Sequence, residues 1–168
     1  MGAGKTAVGR AMAEILGVPF RDSDQEIEKA ANATIAEIFA RDGEPFFRDR
    51  ESEVLTRLAS GDPVILSTGG GAYLQGRNRD NLRDKAIVVW LKADLELLWS
   101  RVKHKDTRPL LRTENPKATL EELCQSREPY YAMADLTVEA HSSYAIEDMA
   151  HKVIEALAES GAILKEPT

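Results

Sequence analysis

The N-terminus carries the feature that most constrains the fold. Gly4, Lys5 and Thr6 match the last three positions of the phosphate-binding pattern G-x-x-x-x-G-K-[ST], and Gly2 and Ala3 complete the surviving half of the loop. Backbone N–H groups in such a loop, and the N-terminus of the helix after it, face an anion. The lysine adds a charge for β- and γ-phosphates, and the threonine hydroxyl suits Mg²⁺. The alternative is a glycine-rich tail before an ordinary helix.

A phosphate loop joins a strand to a helix, so the pattern also predicts a strand upstream. Its leading glycine would lie two residues before Met1, and the strand would precede that glycine. We expect a fifth, central strand there, because its loss would leave two sheet edges unpaired. Three explanations are considered in order: numbering that begins at the first ordered residue, an internal methionine taken as the start, or a fold that tolerates the loss.

Short apolar runs alternate with helical patterns along the rest of the chain. We predict strands at about 19–22, 63–67, 86–91 and 136–139. We predict helices at about 7–16, 24–31, 34–41, 45–59, 94–101, 119–133 and 144–159. Thr34, with Glu37 three residues later, predicts a capping box at the start of the helix at 34–41. This alternation predicts an α/β fold, a three-layer sandwich with a short central parallel sheet flanked by helices. We expect a single domain over residues 1–168, with a charged, mobile surface loop at about 102–117.

Composition excludes several classes of protein. The net charge of −6 argues against a general nucleic-acid surface, although clustered arginines can still bind a small anion. The single cysteine, Cys124, excludes an internal disulfide and fits a reducing compartment. We see no apolar run of about 18 residues that could span a membrane and no signal-peptide pattern. These features predict a cytoplasmic protein with neither membrane nor nucleic-acid partners.

Two carboxylates follow the first predicted strand, in Asp22-Ser23-Asp24. Ligands bind at this edge of an open α/β sheet, and side chains two apart in extended backbone face the same side. One carboxylate could hold Mg²⁺ through water, while the other accepts a proton from a substrate hydroxyl. From these residues alone, helix capping by one of the aspartates is the favoured interpretation.

Two further patterns suggest ligand binding. Arg48 and Glu51 lie three apart on a predicted helix, so the guanidinium could be oriented by Glu51 for a carboxylate, or the pair could be a solvated salt bridge. Gly69-Gly70-Gly71 follows a predicted buried strand. Successive glycines let the backbone approach a ligand closely and present its N–H groups, whereas a plain turn needs only one.

Two arginines are ambiguous on their own. Arg108 lies in the charged loop, where it could close over phosphates or belong to an ordinary basic loop. Arg127 begins Arg-Glu-Pro-Tyr-Tyr, which has no single interpretation by itself.

Six segments, in this order, resemble the shikimate kinase family, phosphate-loop kinases of the nucleoside-monophosphate-kinase-like group. The resemblance runs from Met1 to about residue 155, through G-A-G-K-T, D-S-D, F-R-x-x-E, S-T-G-G-G, T-R-P-L-L and R-x-P-x-Y. It implies ATP-dependent phosphorylation of the 3-hydroxyl of shikimate, a step toward aromatic amino acids. ATP, Mg²⁺ and shikimate are the implied ligands, and we expect a monomer.

The resemblance also implies roles for residues. Lys5 and Thr6 would contact the phosphates and Mg²⁺, with the loop Gly2-Ala3-Gly4 around them. Asp22 would support Mg²⁺ through water, and Asp24 would bind shikimate hydroxyls and act as the candidate base.

The remaining implied roles concern substrate and lid. Arg48 and Arg127 would take the carboxylate of shikimate, and the turn Gly69, Gly70, Gly71 would also hold the substrate. Glu51 would orient Arg48. Arg108 would be the lid arginine that reaches the transferring phosphoryl group, and Arg101 would lie against adenine.

Two alternatives stay open. One is another small-molecule kinase of the same fold, such as gluconate kinase, although the paired arginines and the glycine triplet favour shikimate. The other is a catalytically silent, kinase-like binding protein, which the incomplete loop supports. The presence of Lys5, Asp24 and Arg108 argues against it.

Overall fold

A computed structural model describes residues 3–103 and 111–161. Four strands are assigned in these ranges: β1 (Phe20–Asp22), β2 (Ile65–Ser67), β3 (Val89–Lys92) and β4 (Leu136–Glu139). The helices are α1 (Lys5–Leu16), α2 (Ser23–Ala31), α3 (Ile35–Asp42), α4 (Glu44–Ala59), α5 (Gly76–Leu82), α6 (Leu95–Val102), α7 (Pro116–Tyr131) and α8 (Ile146–Glu159). A 3₁₀ helix spans Ala72–Leu74. In the described part of the chain, no helix is both long and apolar enough to cross a bilayer.

The described residues form two compact units. The first unit comprises residues 3–8, 88–103 and 111–161, and the second comprises residues 9–87. Each unit holds one parallel pair of strands, β3 with β4 in the first and β1 with β2 in the second. Parallel neighbours need a long crossover, which α2, α3 and α4 supply between β1 and β2. The predicted parallel pairing is therefore confirmed in both units.

The core of the second unit lies between α2, α3 and α4. Ile27, Ile38, Phe47 and Val54 are its buried members. The start of α3 is the capping box expected of Thr34 and Glu37: the Glu37 N–H donates to Thr34 Oγ1 at 3.1 Å, and the Thr34 N–H donates to Glu37 Oε2 at 3.4 Å. These contacts fix the entry of α3 and, through it, the position of α4.

One buried apolar cluster of the first unit lies between α6 and α7. It includes Leu98, Val102, Leu111 and Leu120, with Ala3 packed against it. The helix α7 begins three residues before the predicted start at 119, because the Asn115 side chain accepts a hydrogen bond from the Ala118 N–H at 3.2 Å and Pro116 occupies the first helical turn. Residues 116 and 117, expected in the charged loop, are therefore helical.

Two further elements differ from the sequence prediction. The helix α5 was not predicted, because Gly-Arg-Asn-Arg-Asp-Asn-Leu has no apolar period; its buried residues are Asn78 and Leu82. The strand β3 begins at Val89 and not at 86. The N–H of Val88 donates to Asp135 Oδ2 at 2.7 Å, and Ile87 is 47% exposed.

Candidate active site

The phosphate-loop residues that the structure describes lie at the N-terminus of α1. Gly4 has a φ of +83°, a conformation that favours glycine, and its carbonyl accepts the first helical hydrogen bond, from Val8 N–H at 2.9 Å. Ala3 is anchored to the core of the first unit. Lys5 and Thr6 therefore occupy the first turn, where the helix N-terminus favours an anion. Gly2 lies outside the described residues.

Arg101, near the end of α6, is next to this loop. Its Nη1 atom lies 3.7 Å from where a Cβ on Gly4 would be. A second positive charge therefore accompanies Lys5 at the start of α1. This position fits a residue that contacts a nucleotide, and the adenine contact itself stays a prediction.

Asp22 caps α2. Its Oδ1 atom accepts hydrogen bonds from the N–H groups of Asp24 at 2.9 Å and Gln25 at 3.2 Å. The capping interpretation is thus confirmed for Asp22. The expectation that Asp22 and Asp24 continue one extended strand was wrong, because α2 begins at Ser23 and places Asp24 in its first turn. Both capping bonds end on Oδ1, so the cap engages one of the two carboxylate oxygens.

The carboxylate of Asp24 lies against the glycine turn after β2. A Cβ on Gly69 would stand 3.0 Å from Asp24 Oδ1 and 3.1 Å from Oδ2. That separation is tighter than most real Cβ contacts, so glycine is favoured at position 69 by space. The turn and Asp24 therefore form one local site within the second unit.

Arg48 and Glu51 form an ion pair on α4. Arg48 Nη1 donates to Glu51 Oε1 at 2.9 Å, and the Glu51 side chain is only 1% exposed against 19% for Arg48. A solvated salt bridge is therefore excluded. Burial raises the pKa of Glu51, and the hydrogen bond and charge of Arg48 act in the opposite direction. Arg48 Nε also lies 3.4 Å from Glu44 Oε1, at the exposed rim.

Gly71 lies directly against the guanidinium of Arg48. A Cβ there would stand 2.7 Å from Arg48 Nη2, 2.8 Å from Nη1 and 3.0 Å from Cζ. The φ of Gly71 is −88°, which other residues adopt freely, so space and not backbone conformation requires glycine. The sequence predicted that the triplet lets backbone approach a ligand. The structure shows that Gly69 and Gly71 let backbone approach the side chains of Asp24 and Arg48.

Arg127, on α7, interacts with Tyr131, a residue for which the sequence predicted no role. Tyr131 lies one turn further on; burial raises its pKa, and the charge and a hydrogen bond of Arg127 act against this shift. The Tyr131 ring also packs on Trp90 of β3, with centroids 6.0 Å apart. The sequence contains a signal for this contact, because Arg127 and Tyr131 are four residues apart and therefore lie on the same face of a helix.

Two predicted features concern the lid arginine, Arg108, and the oxygen donors for Mg²⁺. Arg108 and its neighbours at 104–110 lie outside the described residues, as does most of the T-R-P-L-L motif. Within 3–103 and 111–161, no group of three or more His, Cys, Asp or Glu could hold a metal ion. Mg²⁺ at phosphate sites usually takes one or two protein oxygens together with phosphates and waters. The Thr6 hydroxyl and the Asp22 carboxylate are oxygen donors of that kind.

Comparison with known proteins agrees with these features. The family model described as shikimate kinase matches residues 1–158. The shikimate kinase of Cereibacter sphaeroides is 63% identical over 158 residues, covering 94% of this chain and 79% of that relative. The structure described as "Shikimate kinase from Acinetobacter baumannii in complex with shikimate" has a TM-score of 0.86 and 44% identity, covering 95% of this chain and 89% of that one.

A gluconokinase from Sinorhizobium meliloti 1021 is also similar, with a TM-score of 0.57 and 19% identity over 96% of this chain and 89% of that one. That likeness shows the fold alone. Together with the two parallel strand pairs, these structures confirm an α/β fold of the phosphate-loop kinase type. The chain belongs to the shikimate kinase family.

Proposed function

We propose that this protein transfers the γ-phosphoryl group of ATP to the 3-hydroxyl of shikimate. The observation that carries the proposal is the cluster in the second unit: Arg48 held between buried Glu51 and Gly71, with Asp24 against Gly69. A small carboxylated polyol needs a guanidinium for its acid and a carboxylate for its hydroxyls. The family match and the printed description of the Acinetobacter baumannii complex support the same substrate.

Arg48 is suited to bind the substrate carboxylate. Its Nη1 atom donates a hydrogen bond to Glu51, and its guanidinium lies against Gly71. The side chain is therefore already restrained, and it loses little conformational entropy when a ligand binds. We assign Arg127 to the same carboxylate on the basis of the R-x-P-x-Y motif. Its charge and a hydrogen bond also act on Tyr131, one helical turn further along α7.

We assign Asp24 the role of proton acceptor for the attacking hydroxyl. Asp24 lies in the first turn of α2, and its carboxylate lies against the glycine turn after β2. In phosphoryl transfer most of the barrier is lowered by positioning and charge neutralisation, so a base of modest strength suffices.

The phosphates of ATP are assigned to the first turn of α1. Lys5, Thr6 and the backbone around Gly4 would hold them, with Arg101 beside the loop. When bound, this site's Mg²⁺ would supply neutralisation of the negative charge that develops in phosphoryl transfer. Thr6, and Asp22 through water, would hold that ion. The role of Arg108 as lid arginine rests on the family motif.

We further propose one catalytic domain that acts as a cytoplasmic monomer. A single family model matches residues 1–158, which supports one domain. The only cysteine, Cys124, has no intramolecular disulfide partner, as expected in a reducing compartment.

The proposed function is tested by measuring the ADP that the protein forms from ATP, in the presence of Mg²⁺ and either shikimate or gluconate. We expect turnover to require shikimate and to be absent with gluconate at the same concentration. Turnover with gluconate and not with shikimate would favour the alternative kinase. Failure of folded protein to use either substrate would favour a silent kinase-like binding protein.

The narrow space at Gly71 leads to a prediction for Gly71→Ala. The added Cβ would fall 2.7 Å from Arg48 Nη2, so the guanidinium must move away from its position beside Glu51. We expect the shikimate KM to rise by about tenfold or more, the value of one charged hydrogen bond, with little change in the ATP KM. Steady-state kinetics with each substrate varied measures both.

Gly61→Ala is the matched control, because a Cβ there would meet nothing closer than 3.9 Å. Wild-type kinetics in Gly71→Ala would show that Arg48 need not occupy its present position.

The burial of Glu51 predicts a pH dependence. Because burial raises its pKa above the ordinary value of 4.5, Glu51 takes up a proton at a higher pH than an exposed glutamate as the solution is acidified. Arg48 then loses its charged partner, so we expect the shikimate KM to rise with falling pH in the range just above 4.5.

Glu51→Gln cannot titrate, so it serves as the control. At neutral pH its shikimate KM should be higher than that of the wild type. As the pH falls, this KM should not show the rise that protonation of Glu51 causes in the wild type. Identical pH profiles of KM in wild type and Glu51→Gln would contradict this account.

A further inference from the structure

Asn78 is a polar side chain in the interior of the second unit. It is only 1% exposed and both ends of its amide are used. Its Oδ1 atom accepts from Ser52 Oγ at 2.6 Å, and its Nδ2 atom donates to the carbonyl of Ala72 at 2.9 Å. One side chain on α5 thus connects α4 to the 3₁₀ helix that follows the glycine turn.

The two groups that Asn78 connects are neighbours of the substrate-binding contact. Ser52 follows Glu51 directly and lies one helical turn after Arg48. Ala72 follows Gly71 directly, and its N–H donates to the carbonyl of Gly69 at 3.1 Å, which closes the turn. Asn78 therefore links the helix that carries Arg48 to the turn that carries Gly71.

The guanidinium of Arg48 occupies the space that a Cβ on Gly71 would take, with its atoms 2.7 to 3.0 Å from that position. A change in the spacing of α4 and the turn would loosen the guanidinium or force it aside. A hydrogen-bonded amide defines such a spacing better than apolar packing, because its geometry is directional. A buried hydrogen-bonded pair adds little net stability over an apolar pair of the same shape, so stability alone gives weak reason for it.

We propose that Asn78 and Ser52 are positioning residues for the substrate carboxylate, acting through Arg48. Their hydrogen bond sets the spacing between α4 and the glycine turn, so that the guanidinium of Arg48 is held in the orientation that binds the substrate. The inference deepens the proposed function and rests on it.

Asn78→Leu and Ser52→Ala test the proposal. Leucine matches asparagine in size but removes the bond to Ser52 and leaves the Ala72 carbonyl without its amide donor. Alanine at 52 removes only the Ser52 bond. We expect the shikimate KM to rise by about tenfold in Asn78→Leu and by less in Ser52→Ala, with the ATP KM changed less than about twofold.

Arg77→Gln is the matched control on α5. The Arg77 side chain bridges the same two helices at the surface, with Nη1 2.6 Å from Asp49 Oδ1, and it is 45% exposed. We expect its loss to leave both KM values unchanged, because exposed ion pairs contribute little.

Double variants with Arg48→Ala distinguish a positioning role from a merely structural one, because only a positioning role makes the effect of Asn78→Leu depend on Arg48. If Asn78 acts through Arg48, Asn78→Leu should have no further effect on shikimate affinity in the Arg48→Ala background. An equal fold-change in both backgrounds, or an equal rise in both KM values, would overturn the proposal. Should Asn78→Leu fail to fold, Ser52→Ala in the two backgrounds decides by the same criteria.

Calorimetric titration with shikimate separates this inference from the proposed function. Wild type that neither binds nor phosphorylates shikimate would overturn both. Wild type that does so, with Asn78→Leu and Ser52→Ala of unchanged affinity, would overturn only the positioning role.

Discussion

Lys5→Ala should lower kcat by about 100- to 1,000-fold, the usual cost of removing a preorganised charge that stabilises a transition state. Lys5 begins α1 directly after Gly4, whose positive φ turns the chain into the helix. Lys5 therefore lies in the first turn of a helix, where negative charge on a transferring phosphoryl group is stabilised. Coupled detection of ADP at saturating ATP and shikimate measures the change.

Lys117→Ala is the control for removal of a lysine. Lys117 Nζ forms an ion pair with Glu96 at 2.7 Å on the surface of the first unit, a contact of about 1 kcal/mol at most. It should retain wild-type kcat. A rate near wild type in Lys5→Ala would remove the phosphate-loop assignment.

Arg127→Ala should raise the shikimate KM by roughly 10- to 100-fold, since hydrogen bonds to a charged group contribute about 1.5–3 kcal/mol. The ATP KM should change far less, because the proposed partner of Arg127 is the carboxylate of shikimate. Tyr131→Phe should give a smaller rise of the same kind, since it removes only the hydroxyl group that interacts with Arg127. Kinetics with each substrate varied in turn measures both variants.

Arg83→Ala is a suitable control, because Arg83 is 72% exposed and pairs only with Asp80 at 3.1 Å among the described ion pairs. Equal rises of the two KM values in Arg127→Ala would contradict a carboxylate role.

Periodic patterns predicted most elements of the fold. The alternation of short apolar runs with amphipathic helices gave parallel strand pairs, and start signals such as Thr34 with Glu37 placed helix ends within a few residues. These signals are local, so they are present in the sequence itself. The helix α5 has no such pattern, because its formation depends on burying Asn78 and Leu82 against residues distant in the chain.

The candidate site was predictable in composition but not in geometry. The motifs named Asp24, Arg48 and the glycine turn. Only the structure shows that Gly69 and Gly71 leave the space that those two side chains occupy. The pairing of Ser52 with Asn78 joins residues 26 apart in sequence, which no spacing rule reveals. The roles of Asp22 and Asp24 also depended on where α2 begins, a boundary that sequence patterns locate poorly.

Phosphorus NMR of the product tests the central claim most directly. The protein is incubated with ATP, Mg²⁺ and shikimate, and the coupling of any new phosphomonoester signal to ring protons identifies the phosphorylated oxygen. We predict one new phosphomonoester, on the 3-hydroxyl of shikimate, formed in equal amount with ADP. ADP formed without phosphorylated shikimate, or phosphate on a different hydroxyl, would contradict the account.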